Sequence, residues 1–146
     1  MSPGLIALVA ALAVALAAGG VWRWRDGRMR AARSGPAGTR LSEHDLGAPL
    51  GQRATLLQFS SEFCAPCRAT RKALADVAAR TEGVTHLELD VADRLDLVRR
   101  LDVRRTPTVF VLGPDGLVTQ RASGRPRPAD VLAAIGGVGS QESRPV

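Results

Sequence analysis

The chain has 146 residues, the size of one ordinary domain, with 20 basic side chains against 14 acidic and a formal charge of +6. Most of that excess is local: in residues 1–36, five arginines less Asp26 leave +4, so the remainder carries +2. With aromatics at 3% and no tyrosine, the basic residues are not interleaved with the stacking rings that single-stranded nucleic acid requires, so no nucleic-acid partner is expected.

From the N-terminus, Leu5 to Val21 contains no charged residue and is followed by Trp22 and Trp24. A helix over that run lies at the short end of what crosses a bilayer, and the tryptophans fall where an interface would hold them. Residues 1–24 are therefore expected to form a single transmembrane anchor. A cleaved signal peptide is the competing reading, and Ala13-Val-Ala15 or Ala15-Leu-Ala17 would suit its cleavage site. Such a peptide needs a basic region before the apolar run, however, and here the five arginines come after it. The same asymmetry places the body on the cytoplasmic side, because basic flanks are retained there; an extracytoplasmic body is the alternative.

Residues 25–38 read as a basic linker, rich in small residues and carrying Gly35, Pro36 and Gly38. The folded domain is expected over residues 39–137. Within it Thr55 to Ser60 is β-rich and predicts a strand, and Ala65 to Arg80 predicts a helix. Pro66 falls in the first turn of that helix, where a missing N–H costs little, and Leu74 and Val77 lie on the face opposite Arg68, Arg71 and Lys72. A second strand is predicted over His86 to Val91 and a short helix over Asp93 to Leu101. Thr108 to Leu112 and Leu117 to Arg121 flank Gly113-Pro-Asp-Gly116 and predict a hairpin. A last helix is predicted over Asp130 to Ile135, with residues 138–146 a disordered tail. The order gives an α/β fold, a mixed sheet flanked by helices.

The two cysteines form Cys64-Ala-Pro-Cys67 at the start of a helix. One turn apart, they are placed to close and reopen a disulfide, and a C-x-x-C in a βαβ setting reads as a redox pair. Cys64 faces the unpaired N–H groups and positive end of the helix, which favour the thiolate. Half of a zinc site is one alternative, but four ligands are needed and His44 and His86 are the remaining soft candidates. A pair of inert buried thiols is another. No metal site is expected.

Phe59-Ser-Ser-Glu-Phe-Cys-Ala-Pro-Cys-Arg68, Val103-Arg-Arg-Thr-Pro-Thr-Val-Phe110, Gly113-Pro-Asp-Gly116 and Gly124 together resemble the thioredoxin family in order and spacing, over residues 50–136. The resemblance implies a thioredoxin-like sheet and a thiol-disulfide oxidoreductase, with Cys64 attacking and Cys67 resolving. It implies that Pro107 is cis, that the Thr106 backbone pairs with the substrate chain, and that Phe63, Ala65, Pro66, Thr106 and Pro107 bind substrate. Disulfide-containing proteins would be the substrates and a reductase or small thiol the electron donor, with no cofactor.

Three departures stand out. Phe63 replaces the tryptophan usual before the first cysteine, Gln58 stands where thioredoxins place a buried aspartate, and Leu41 to Arg53 is too short for a full first strand and helix. Arg104 and Arg105 would either favour the Cys64 thiolate or serve as solvated surface charges. Many anchored thioredoxin-like proteins of bacteria work outside the membrane, and the Phe-Cys-Ala-Pro-Cys run also resembles reductants of cytochrome maturation. A thioredoxin fold acting purely as an interaction module is the reading from another class.

Overall fold

The computed structural model describes residues 2–32 and 38–141. It begins with helix α1, Pro3–Arg25, 23 residues with no buried side chain. At 1.5 Å per residue the helix is about 35 Å long, enough to cross a hydrocarbon layer of about 30 Å. By length and composition it is the one helix among the described residues that could do so.

The body is a five-stranded sheet of β1 (Arg30–Ala31), β2 (Ala54–Ser60), β3 (Val84–Asp90), β4 (Thr108–Leu112) and β5 (Val118–Ser123), in the order β1-β5-β4-β2-β3. β2 and β3 run parallel, and the other neighbours run antiparallel. Around it lie α2 (Glu43–Leu46), α3 (Ala65–Arg80), α4 (Leu95–Arg100) and α5 (Pro128–Gln141).

β2 is buried along its whole length because both faces of the sheet are covered. Alternation sends Leu57 and Phe59 to one side, where they pack with Phe110, Leu97 and Leu101, the rings of Phe59 and Phe110 meeting edge to face at 5.9 Å. Ala54 and Leu56 go to the other side, with Val109 and Val111 from β4, Leu74 and Val77 from α3, and Val131 and Ile135 from α5. Gln58 belongs by parity to this α3 side and is fully buried. Burial of these two layers supplies the main folding drive.

The stretch before β2 is the reduced version that its length implies: the four-residue α2, capped by Ser42, whose hydroxyl accepts from the Asp45 amide while Asp45 accepts from the Ser42 amide. Hydrogen bonds donated to the Asp45 carboxylate by the Ser42 amide and hydroxyl hold it below its ordinary range.

The segment read as a linker carries β1. Arg30 and Ala31 pair with Arg121 and Gln120, Gly27 donates to the Ser123 carbonyl at 3.0 Å, and Ala32 donates to that of Thr119 at 3.1 Å. Backbone pairing with a sheet edge needs no apolar period, so small residues and arginines suffice. Residues 33–37 of the expected linker lie outside the described residues. The tail needs a correction as well: α5 runs on to Gln141, because Ile135 and Val138 pack on the sheet and hold the helix through Gly136 and Gly137. Residues 142–146 lie outside the description.

The hairpin turns at Gly113–Gly116, closed by Gly113 donating to Leu117 and Gly116 to Gly113, both at 2.9 Å. Gly116 has φ +76 and the Leu41 carbonyl stands where a Cβ would be, so the position requires glycine.

Candidate active site

β2 delivers the chain through Ser60 and Ser61 to a turn, and α3 starts immediately beyond it. Cys64 is the N-cap of α3, and its sulfur accepts from the Cys67 amide at 3.2 Å. The two sulfurs are bonded to one another, with Cα atoms 5.2 Å apart. Both residues are inside, Cys64 at 9% and Cys67 at 1% exposure, whereas Phe63 beside them is 92% exposed. Ala65 and Pro66 form the first, solvent-facing turn of α3.

The loop before β4 comes up against this turn. The Thr106–Pro107 peptide bond is cis. The Thr106 hydroxyl lies 3.1 Å from that of Ser61, whose carbonyl in turn accepts from the Cys64 amide at 3.2 Å. Ser61, quoted in the sequence as part of a motif, is therefore the residue that ties the cysteine turn to the Thr106–Pro107 loop. Next to it runs an open groove of about 310 Å³, lined by Val91, Leu95, Val98 and Val103 with Ser61 and Thr106. Leu95 is half exposed there. Val98 lines the groove and also packs against the Phe59 side of the core.

Arg104 and Arg105 are both engaged by carboxylates. Arg104 pairs with Asp102 at 2.9 Å, and Arg105 pairs with Asp26 at the end of α1. They serve as rim contacts, and neither charge stands alone beside Cys64.

Behind Cys67 the sheet carries a polar network. Gln58 is fully buried and its Nε2 donates to the Cys67 carbonyl at 3.0 Å and to Ser60 Oγ at 2.8 Å. The Ser60 hydroxyl donates to Glu88 Oε1 at 2.6 Å, and Arg71 of α3 pairs with the same carboxylate. His86 Nε2 lies 3.2 Å from Gln58 Oε1. Burial by itself would raise the Glu88 carboxyl, but hydrogen bonds from Arg71 and Ser60, with the charge of Arg71, outweigh it and hold the group below its ordinary value. Burial pushes the His86 imidazole down, an effect that Glu88 partly offsets. Thus the nearest carboxylate in this network is one strand further out than Gln58. Among the described residues no three metal-ligating side chains come together.

The thioredoxin family model matches residues 43–135. Thioredoxin H5 of Oryza sativa subsp. japonica is 32% identical over 60 residues, 41% of this chain and 44% of that protein, so the alignment spans less than half of the curated relative's length. Among solved structures, chloroplastic thioredoxin z superposes with a TM-score of 0.54 at 24% identity, over 61% of this chain and 80% of that one. Spinach chloroplast thioredoxin f gives 0.54 at 24%, over 61% and 79%. A thioredoxin variant from Halobacterium salinarum gives 0.54 at 20%, over 65% and 79%. At these identities the structures speak for the fold, and the family model, which covers more than half of the chain, speaks for descent. The chain belongs to the thioredoxin family.

Proposed function

We propose that this protein is a membrane-anchored thiol-disulfide oxidoreductase working as a reductant of protein disulfides. The observation that carries the reading is the disulfide pair itself: Cys64 caps α3, bonded to a deeper Cys67, beside the Thr106–Pro107 loop and an open groove.

In the reduced protein the Cys64 thiolate, facing the Cys67 amide and the start of α3, attacks one sulfur of a substrate disulfide. The Cys64–substrate S–S bond forms as the substrate's own S–S bond breaks, and the departing thiolate takes a proton from solvent. Cys67, deprotonated, then attacks Cys64 and the second substrate thiolate leaves, so that two electrons pass to the substrate and the pair is oxidised. A reductase or small thiol restores the dithiol, and no cofactor takes part. Phe63, Ala65 and Pro66 would form one lip of the substrate site and Thr106 and Pro107 the other, with the Thr106 backbone pairing with the extended substrate chain. Gln58 cannot take the Cys67 proton, because an amide is no base, so water would carry it to solvent.

Residues 1–24 would serve as the anchor, 25–38 as the connection, and 39–137 as the catalytic domain. The arginine excess after the helix supports a cytoplasmic domain.

The test is insulin disulfide reduction by the detergent-solubilised full chain with dithiothreitol as donor. Cys64→Ser is expected to lower the rate at least about 100-fold, to the uncatalysed level, and Cys67→Ser to accumulate a mixed disulfide visible by mass spectrometry. A Cys64→Ser variant that keeps its activity would overturn the reading. Sidedness is read separately, by labelling Cys64 with a membrane-impermeant maleimide after mild reduction. Labelling restricted to lysed cells supports the cytoplasmic side, and labelling of intact cells reverses it.

A further inference from the structure

Where α1 meets the body, a solvent-open cavity of about 560 Å³ is lined by Arg25, Arg28, Arg30, Arg105 and Arg121 together with Trp22. One carboxylate, Asp26, shares the wall and is paired with Arg105. Five guanidiniums against that one carboxylate leave the cavity at +4. Among the described residues Arg25, Arg28 and Arg30 make no ion pair. Two of the five arginines are held in place by other contacts. Arg28 stacks on Trp24 at 4.6 Å, and Arg121 donates to the carbonyls of Leu101 and Asp102 at 3.1 and 2.7 Å while lying over the Phe110 ring.

Crowded guanidiniums repel one another, and a counter-anion that accepts several planar N–H forks at once relieves that repulsion. Phosphate is the group that fits arginine forks in this way. The depth of the cavity identifies the source of the phosphate. It opens at the last turn of a helix long enough to cross the hydrocarbon, with Trp22 in its wall, and that is the level of lipid headgroups for such an anchor. The geometry points to a binding site for the phosphate of an anionic phospholipid, built jointly from the end of the anchor and, through Arg105 and Arg121, from the folded domain. It rests on the reading of residues 1–24 as an anchor. It differs from simple attraction of a basic flank to an acidic surface, because residues about 80 and 100 positions further along the chain complete it.

Trp22 and Trp24 are the only tryptophans, so intrinsic fluorescence reports on this junction without a label. The full chain in dodecylmaltoside micelles is titrated with phosphatidylglycerol, phosphatidylcholine and inorganic phosphate. A saturable change with phosphatidylglycerol alone is expected, weakened about tenfold or more in Arg28→Gln/Arg30→Gln and in Arg105→Gln, and unaltered in Arg23→Gln, which lies outside the cavity. Arg28→Lys/Arg30→Lys, which keeps the charge and loses the fork, is expected to fall between. Equal response to both lipids, equal weakening by Arg23→Gln, or a saturable response to inorganic phosphate would each overturn the proposal. Flotation with pure phosphatidylcholine vesicles tests the anchor on its own. A chain that fails to float refutes the anchor whatever its arginines do, whereas one that floats and shows no lipid preference refutes the site alone.

Discussion

Gln58 and His86 share one hydrogen bond, and its direction decides which nitrogen of the ring carries the proton. Both N–H groups of Gln58 are committed, to Cys67 and to Ser60, so Oε1 accepts and His86 Nε2 donates. In the neutral ring, the form that burial favours, the proton therefore sits on Nε2. Burial favours that state, Glu88 on the same strand opposes it, and Arg71 from α3 supports it. Because the folded value is depressed, the stabilisation is present above the ordinary imidazole range, about 6.5, and is lost as pH falls through the lower folded value. The urea midpoint of the oxidised full chain in detergent is therefore expected to drop between pH 7 and pH 5, and to drop less in His86→Gln. An equal drop in both proteins would move the acid sensitivity elsewhere. At this scale the place of the cysteines and Pro66 at the start of a helix was legible from their spacing, whereas the cis Thr106–Pro107 bond was expected from the family resemblance and not from any local pattern. The resemblance also put Gln58 behind Cys67, but the Ser60, Glu88 and His86 partners around it were not legible, because they meet only once parallel pairing sets Glu88 against Gln58 in register. Nothing local in either segment announces that pairing.

Helix α3 couples the cysteines to the core, since the residues that follow Cys67 on its inner face are Thr70, Leu74 and Val77, all buried. Leu74 is 1% exposed and packs with Val131 and Ile135 of α5 and Leu56 of β2. Leu74→Ala is expected to destabilise the protein by about 2–5 kcal/mol, measured by urea unfolding, because the lost contacts come with a cavity between two helices and a central strand. A cost below about 1 kcal/mol would mean that α3 collapses onto the gap. The bounds of α3 were readable because its helical period and the proline in its first turn agree. β1 and the last turns of α5 were not. One is held by backbone pairing with a partner about ninety residues away, and the other keeps two glycines helical through packing, which outweighs their low propensity.

For the whole molecule the decisive feature is that the chain leaving α1 is fastened to β5 from Gly27 to Ala32. Ala32→Pro removes the N–H that bonds Thr119 and is expected to speed amide exchange over residues 25–32 at least about tenfold, with insulin reduction changed less than about twofold. Unchanged exchange would show that the pairing does not depend on that bond. The sequence order α, then strand, helix, strand, helix, hairpin, helix was enough to give the architecture, but the place of the first strand at the β5 edge was not, because short segments of small residues carry no facial pattern. With residues 1–24 as the proposed anchor, that fastening would also govern where the chemistry happens. Only Asp26 separates Arg25 at the end of α1 from Gly27, which is bonded to Ser123 of β5, a span of at most about 7 Å, and Arg105, next to Thr106, already touches Asp26. In a bilayer the reactive sulfurs would therefore patrol a thin layer along the surface. A client embedded in the same leaflet would meet them by two-dimensional diffusion at a high effective concentration, and a soluble client would have to bring its disulfide down to that layer.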